Sequence, residues 1–282
     1  MTPRDFFSLC KPKITIAVML LFILSYLGAS GFYLKEGFLL ALLGVLTLSC
    51  GGCILNNYFD RDIDAKMTRT KSRPLPDGRV GAKTALISGL ILALISLVIS
   101  IKLGPLPFGL FLLGILSYVV VYTILAKRRS SLSVLTLVPA ISSPIWLSWY
   151  IADGFVGPKG FMSGLTMAFW GLMHFWSLAL VYPEDYIKAD IPILPVKSGF
   201  KKGKNYVIIS CLAFVSFAHI LWLVGLYGLK YAIFITPPSL VILYFCVRLI
   251  QKPTKRQAYQ IFKLSTMLLM LIIVAMVIDG IG

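Results

Sequence analysis

Asn56, Asp60 and Asp64 follow one another at intervals of four in the stretch Asn56-Asn57-Tyr58-Phe59-Asp60-Arg61-Asp62-Ile63-Asp64. Side chains four apart on a helix share a face, with Cβ atoms about 6 Å apart, so a helix here presents these three groups as one stripe of oxygens. Asp60 and Asp64 repel each other unless a cation lies between them. A small number of hard oxygen ligands suits Mg²⁺, which keeps several waters and bridges to substrate phosphates. A structural salt-bridge cluster is the competing account. Asp62 points to nearly the opposite face, with Arg61 or Lys66 as its expected partner.

The next segment, Arg69-Thr70-Lys71-Ser72-Arg73-Pro74-Leu75-Pro76-Asp77-Gly78-Arg79, sets four bases into a turn bounded by Pro and Gly. Guanidinium forks match phosphate oxygens in pairs. Retention of positive charge on one side of a membrane also accounts for the bases, but not for their place beside an acidic stripe.

A second cluster begins at Pro183-Glu184-Asp185, a helix-start pattern, and Pro192 and Pro195 end it. A surface helix of about two turns is expected. Glu184 and Lys188 form an i,i+4 pair of the favourable orientation, while Asp185 is freer and with Asp190 could supply a second cation site. His174 stands nine residues before Pro183 inside an apolar run, beside Phe175 and Trp176. A polar group at that depth is a functional candidate: an axial haem ligand, a hydrogen-bond acceptor or a buried core histidine. His219 lies near the middle of another apolar run, where helix packing is the expected role. Cys50-Gly51-Gly52-Cys53 has metal-like spacing but no second pair and no nearby His. It reads instead as a run of small residues that lets helices approach closely.

These groups need elements to hold them, and the composition says which. Of 282 residues, 58% are hydrophobic and only 13% charged, with a mean hydropathy of +0.88. A soluble domain carries roughly a quarter charged residues, so a soluble enzyme, a disordered chain and a nucleic-acid binder are excluded despite a net charge of +16. The chain reads as an all-α polytopic membrane protein forming a single domain over residues 1–282. Runs of about 20 apolar residues give nine spans, at roughly 13–33, 37–59, 81–101, 106–126, 131–151, 161–181, 205–227, 230–250 and 260–281. Of 27 Lys and Arg, 23 fall on one side of that scheme, leaving Lys35, Lys102, Lys159 and Lys230 on the other. Positive charge stays cytoplasmic, which places the N-terminus inside and the C-terminus outside. Seven of the 11 acids lie in the two cytoplasmic connections after the second and sixth spans.

At these residues the chain resembles the UbiA-type intramembrane prenyltransferases, and within them the branch that prenylates haem. Asn56 through Asp64, followed by Met67, Arg69-Thr70 and Arg73-Pro74-Leu75, is similar to that family's first aspartate-rich motif. His174-Phe175, Asp185-Tyr186 and Ile191-Pro192-Ile193-Leu194-Pro195-Val196 resemble its second. Lys127-Arg128 after the fourth span, and Phe262 with Ser265 in the last, also fit, so the resemblance covers essentially the whole chain. The fifth span departs from the usual double-proline stretch, keeping Pro139-Ala-Ile-Ser-Ser-Pro144-Ile-Trp146, and Asp190 stands where Gly or Asn is commoner.

The resemblance implies a nine-helix bundle whose central cavity is capped by the two acidic connections. It implies Mg²⁺ on Asp60, Asp64 and Asp185, with Asn56 hydrogen-bonding a prenyl diphosphate that Arg69, Lys71, Arg73, Lys127 and Arg128 clamp. Phe59, Tyr118 and Trp170 would shield an allylic carbocation, and His174 and Tyr186 would face the acceptor. It further implies farnesyl diphosphate as donor, haem b as acceptor through a vinyl group, the plasma membrane of a prokaryote, and a haem A-forming enzyme or terminal oxidase assembly as partner. A sister enzyme prenylating a quinone precursor or polar lipid is one alternative. A transporter is another, although it would place charges or broken helices at mid-membrane, whereas these acids gather at one surface.

Overall fold

The computed structural model describes residues 1–280, which are helical with no strand among them. Nine helices among the described residues are long and apolar enough to cross a membrane. They are α2 (Pro12–Ser30), α3 (Phe38–Lys66), α4 (Ala82–Leu103), α5 (Pro105–Ile115, continuing as a π-helix over Leu116–Ala126), α6 (Val138–Asp153, led in by a 3-10 turn), α7 (Pro158–Val181), α10 (Gly199–Leu223), α11 (Leu229–Gln251) and α12 (Lys255–Asp279). Three short helices complete the chain: α1 (Pro3–Leu9) before the first span, and α8 (Pro183–Lys188) and α9 (Leu194–Lys197) after α7. The nine spans overlap their expected places with ends shifted by up to seven residues, the largest shift being the later end of α3; residue 281, the expected end of the last span, lies outside the described residues. The two-turn helix expected after Pro183 is present, whereas α1 and α9 were not anticipated.

The side-chain pattern is that of a bundle dissolved in lipid. Along α4, Ile87, Leu90, Ile91, Leu94, Val98 and Ile101 form an exposed apolar stripe, while Ala85, Gly89, Ala93, Ser96 and Ser100 are buried. Lipid tails are as apolar as leucine, so nothing drives leucine inward, and close backbone packing between small residues holds the helices. The Cys50-Gly51-Gly52-Cys53 run does this at the α3–α4 contact. A Cβ on Gly51 would lie 2.8 Å from the Ala93 backbone nitrogen and 3.0 Å from the Gly89 carbonyl oxygen. Around this pair, α2 packs on α3, α6 and α12, and α7 packs on α6, α10 and α12. Asp279 accepts from the backbone N–H groups of Gly228 (2.9 Å) and Tyr231 (3.3 Å), fastening the last helix to the start of α11 at the end away from the acids.

α3 is the element that makes the site possible. Its 29 residues extend roughly 44 Å at about 1.5 Å per residue, against a hydrocarbon core of about 30 Å. Its last turns, from about Asn56 onward, therefore project beyond the apolar region while remaining helical.

Candidate active site

The expected stripe exists. Asn56, Asp60 and Asp64 are all buried on one face of α3, exposed by only 4%, 1% and 3%. A different element supplies a base to each. Lys11, at the α1–α2 corner, donates from Nζ to Asn56 Oδ1 at 2.5 Å. Lys127, just past the π-helix, reaches Asp60 Oδ2 at 2.5 Å. Arg73, in the connection after α3, reaches Asp64 Oδ2 at 2.6 Å. Asn56 Nδ2 donates to Asp60 Oδ2 (2.8 Å) and to Thr123 Oγ1 (2.9 Å), so the amide is fully engaged. Burial, and then the neighbouring Arg73 charge, push the Lys11 ammonium down to about 8.

The π-helix explains how Lys127 arrives. Its backbone N–H donates to Tyr122 O, five residues back, at 2.8 Å. Nine residues separate Tyr118 from Lys127. In an α-helix they turn through about 900°, ending on the opposite face. At roughly 4.4 residues per turn they turn through about 740° and end close to where they began. The wide turns thus bring Tyr118, Tyr122, Thr123 and Lys127 towards one side, and Thr123 and Lys127 there meet Asn56 and Asp60.

Asp185, at the first turn of α8, joins the two acidic connections. Its Oδ1 accepts from Thr68 N–H (2.8 Å) and its Oδ2 from Arg69 N–H (3.2 Å). Each oxygen keeps a second lone pair, so this staple still leaves Asp185 able to bind a cation. Tyr186 beside it is buried, and burial raises its phenol pKa. Among the described residues no three His, Cys, Asp or Glu side chains are close enough together to hold a metal ion as they stand. The donor set nevertheless suits Mg²⁺: the oxygens are hard, and Asp60 Oδ1 is buried with no hydrogen-bond partner. A buried, unmet carboxylate oxygen is costly, and a cation meets that need.

Several expected partners differ. Arg128 faces away from the stripe, gripping Asp62 with both guanidinium nitrogens at 2.6 Å and donating to Phe59 O at 2.7 Å, so it leaves the clamp. Asp62 does point off the stripe as expected, but its partner is Arg128 rather than Arg61 or Lys66. Arg61 turns back to Tyr58 O at 2.7 Å. Glu184 pairs with Lys255 across the bundle end at 2.5 Å instead of with Lys188, and that bond lowers its carboxyl pKa. Asp190 does not join Asp185 in a second cation site. Its side chain is 87% exposed, 3.9 Å from Lys66, on a residue in the left-handed region at φ 54°. Lys71 is exposed and has no ion-pair partner among the described residues, and Arg69 contributes its backbone to the Asp185 staple. Lys11 and Thr123 were missed. The only local signal for Lys11 is a base directly ahead of the proline that starts the first span.

Below the stripe lies an apolar cavity among α2, α3, α5 with its π-helix, α6 and α7, lined by Ile14, Val18, Cys53, Phe111, Tyr118, Leu147 and Phe175. Tyr118 is where a cation-shielding ring was expected. Phe59 and Trp170 do not line this cavity. Phe59 packs with Leu55, Ala93 and Val119, because the residue before Asp60 sits a third of a turn away from the stripe. Trp170 stacks on His174 at 4.7 Å and donates from Nε1 to Ser265 O at 2.8 Å.

His174 is half-buried between Trp170 and Phe262, the latter 4.6 Å away. Its Nδ1 lies 2.8 Å from Ser265 Oγ, and Ser265 donates its one proton to Phe262 O at 2.6 Å. The hydroxyl must then accept from Nδ1–H, which leaves Nε2 with its lone pair free. His219 ties α10 to α11 through Thr236 at 3.3 Å, the packing role expected of it.

A head of acids and bases over an apolar cavity suits an amphiphile with an anionic head and a hydrocarbon tail. The sequence pattern of the UbiA prenyltransferase family matches residues 15–272. A protoheme IX farnesyltransferase of Korarchaeum cryptofilum is 31% identical over 277 residues, covering 98% of this chain and 94% of that protein. Protoheme IX farnesyltransferase 1 of Pseudomonas fluorescens is 31% identical, covering 98% and 93%. A protoheme IX farnesyltransferase of Roseiflexus castenholzii is 32% identical over 98% of this chain, which spans only 52% of that longer protein. Among solved structures, a digeranylgeranylglyceryl phosphate synthase superposes with a TM-score of 0.81 at 20% identity, covering 99% and 98% of the two chains. A UbiA homologue from Archaeoglobus fulgidus bound to GPP and Mg²⁺ gives 0.73 at 15%, covering 98% and 99%. The chain belongs to the UbiA prenyltransferase family.

Proposed function

We propose that this protein transfers a farnesyl group from farnesyl diphosphate to a vinyl side chain of protohaem IX (haem b), giving haem O. The observation that carries the reading is the junction of the Asn56–Asp60–Asp64 stripe, with its ring of bases, and the apolar cavity directly beneath it. The choice of donor and acceptor is supported by the relatives named above, which match almost the whole chain at 31–32% identity.

Asp60, Asp64 and Asp185, with Asn56 beside them, would hold Mg²⁺. Bound there, the metal supplies positive charge that neutralises the diphosphate. The chain's own residues do the rest. Lys127, Arg73 and Arg69 bind the phosphoryl oxygens, and Lys71, exposed at the rim, meets the incoming anion. As the allylic C–O bond breaks, its electron pair passes to the departing diphosphate, whose growing charge these preorganised cations stabilise. The cavity excludes water, and the faces of Tyr118, Phe111 and Phe175 attract the allylic cation. The vinyl group of the acceptor attacks that cation. Water captures the resulting carbocation, and loss of a proton leaves a hydroxyethylfarnesyl side chain. His174 holds the haem iron through its free Nε2, and Tyr186 packs near the acceptor.

The test is reconstitution of purified protein in lipid with farnesyl diphosphate, haem b and Mg²⁺, followed by mass analysis of extracted pigments. A product heavier than haem b by one farnesyl group plus one hydroxyl group supports the reading. Unchanged haem, with a quinone precursor or glycerolipid prenylated when supplied in a parallel reaction, would overturn it.

A further inference from the structure

Lys11 lies outside both acidic connections and outside either family motif, yet the fold takes trouble to place it. Its backbone is in the left-handed region, φ 49° and ψ 69°, a conformation that strains a non-glycine residue and persists only where the surroundings impose it. Here the surroundings are explicit. Asn57 Nδ2 donates to Leu9 O at 2.9 Å, Thr15 Oγ1 donates to Cys10 O at 2.8 Å, and Arg79 pins α1 through Asp5 at 2.6 Å. The corner so held points one ammonium group inward to Asn56.

The position along the site matters more than the charge. Ile14, about one turn after Lys11, and Cys53, about one turn before Asn56, both line the apolar cavity. The Lys11 ammonium therefore sits at the boundary between the cavity and the stripe. Lys127 on Asp60 and Arg73 on Asp64 lie successively further from the cavity along α3. An allylic diphosphate with its head on the stripe and its tail in the cavity has one atom at that boundary: the oxygen bridging the allylic carbon and phosphorus.

We propose that Lys11 is a catalytic residue that hydrogen-bonds this bridging oxygen; the inference rests on the reading of the site as one for a prenyl diphosphate. When the carbon–oxygen bond breaks, the bonding pair stays on that oxygen. The Lys11 hydrogen bond strengthens as the charge grows, and the ammonium keeps its proton while the diphosphate leaves as an anion. An interaction that gains strength only as the bond breaks raises kcat and leaves substrate affinity nearly unchanged.

The experiment compares Lys11→Met, Lys11→Arg and Lys127→Met in the full chain with Mg²⁺, farnesyl diphosphate and haem b. It measures kcat and KM together with the affinity for farnesyl thiodiphosphate, a poorly cleaved analogue. Lys11→Met should lower kcat by about 100-fold while KM and analogue affinity change less than about threefold. Lys11→Arg should recover much of the rate, and Lys127→Met, which removes a contact to the phosphoryl oxygens made before and during bond breaking, should raise KM and weaken analogue affinity as well as lower kcat. Near-normal kcat in Lys11→Met, or a loss confined to KM or analogue affinity, would overturn the assignment, the latter making Lys11 a binding or structural group. If the unmutated protein turns over a different acceptor, the haem reading fails while the Lys11 comparison proceeds on that acceptor.

Discussion

Asp60 and Asp62 are two residues apart, carry the same side chain, and have opposite environments. Asp60 is buried with one oxygen unpartnered, whereas Asp62 is 57% exposed and gripped by Arg128. Asp60→Asn or Asp64→Asn should lower turnover by at least about 100-fold, because under the proposed function each removes charge where the metal and diphosphate would bind. Asp62→Asn should cost no more than a few-fold, since an exposed ion pair is worth about 1 kcal/mol or less. Parallel kinetics on the three variants check this, and equal losses would remove the distinction between the two faces of α3. His174→Ala should abolish the Soret shift of bound haem while farnesyl thiodiphosphate still binds, and His219→Ala should leave the spectrum unchanged because its Nδ1 is engaged by the Val215 carbonyl of its own helix and its Nε2 by Thr236 of α11. Retention of the shift in His174→Ala would make that histidine a packing residue.

At the scale of elements, the site depends on two departures from ordinary helices. α3 runs beyond the hydrocarbon, and α5 widens into a π-helix that turns Lys127 towards Asp60. α3 also needs α4 at very short range. Gly51→Val places a branched side chain against the Ala93 backbone, and overpacking of this kind costs about 1–3 kcal/mol. Thermal unfolding in detergent should show a midpoint lower by several degrees, with turnover reduced because α3 carries the acids. Gly109→Val is the control, as its Cβ position meets nothing within 4 Å, and it should leave the midpoint unchanged.

For the whole molecule, the excess of bases reads as a topological signal and, under the proposed function, as part of the chemistry. The bases that meet the stripe belong to the same set of 23 that the one-sided count assigns to the cytoplasm. The diphosphate would then enter from the aqueous cytoplasm while its tail passes into the membrane interior. Cysteine substitutions at Lys71 and Phe155, both exposed, test this. An impermeant thiol reagent should label position 71 only from the cytoplasmic side and position 155 only from the other. Labelling of both from one side would break the orientation.

The amino-acid sequence alone determined the features that depend on composition or on neighbours within about one helical turn. Nine apolar runs required nine spans, and four-residue spacing put Asn56, Asp60 and Asp64 on one face whatever packed around them. Pro183 started its short helix for the same local reason. Which base meets which acid was a tertiary decision. Lys11 and Asn56 are 45 residues apart, Lys127 and Asp60 67, Arg128 and Asp62 66, and Lys255 and Glu184 71. With 27 bases for 11 acids, several cations compete for each carboxylate. Local spacing favours Lys188 for Glu184 and Lys66 for Asp62, but exposed i,i+4 pairs are worth only about 0.3–0.5 kcal/mol. Helix packing easily outweighs that, so the α1–α2 corner, the π-helix and the α8 staple chose the partners.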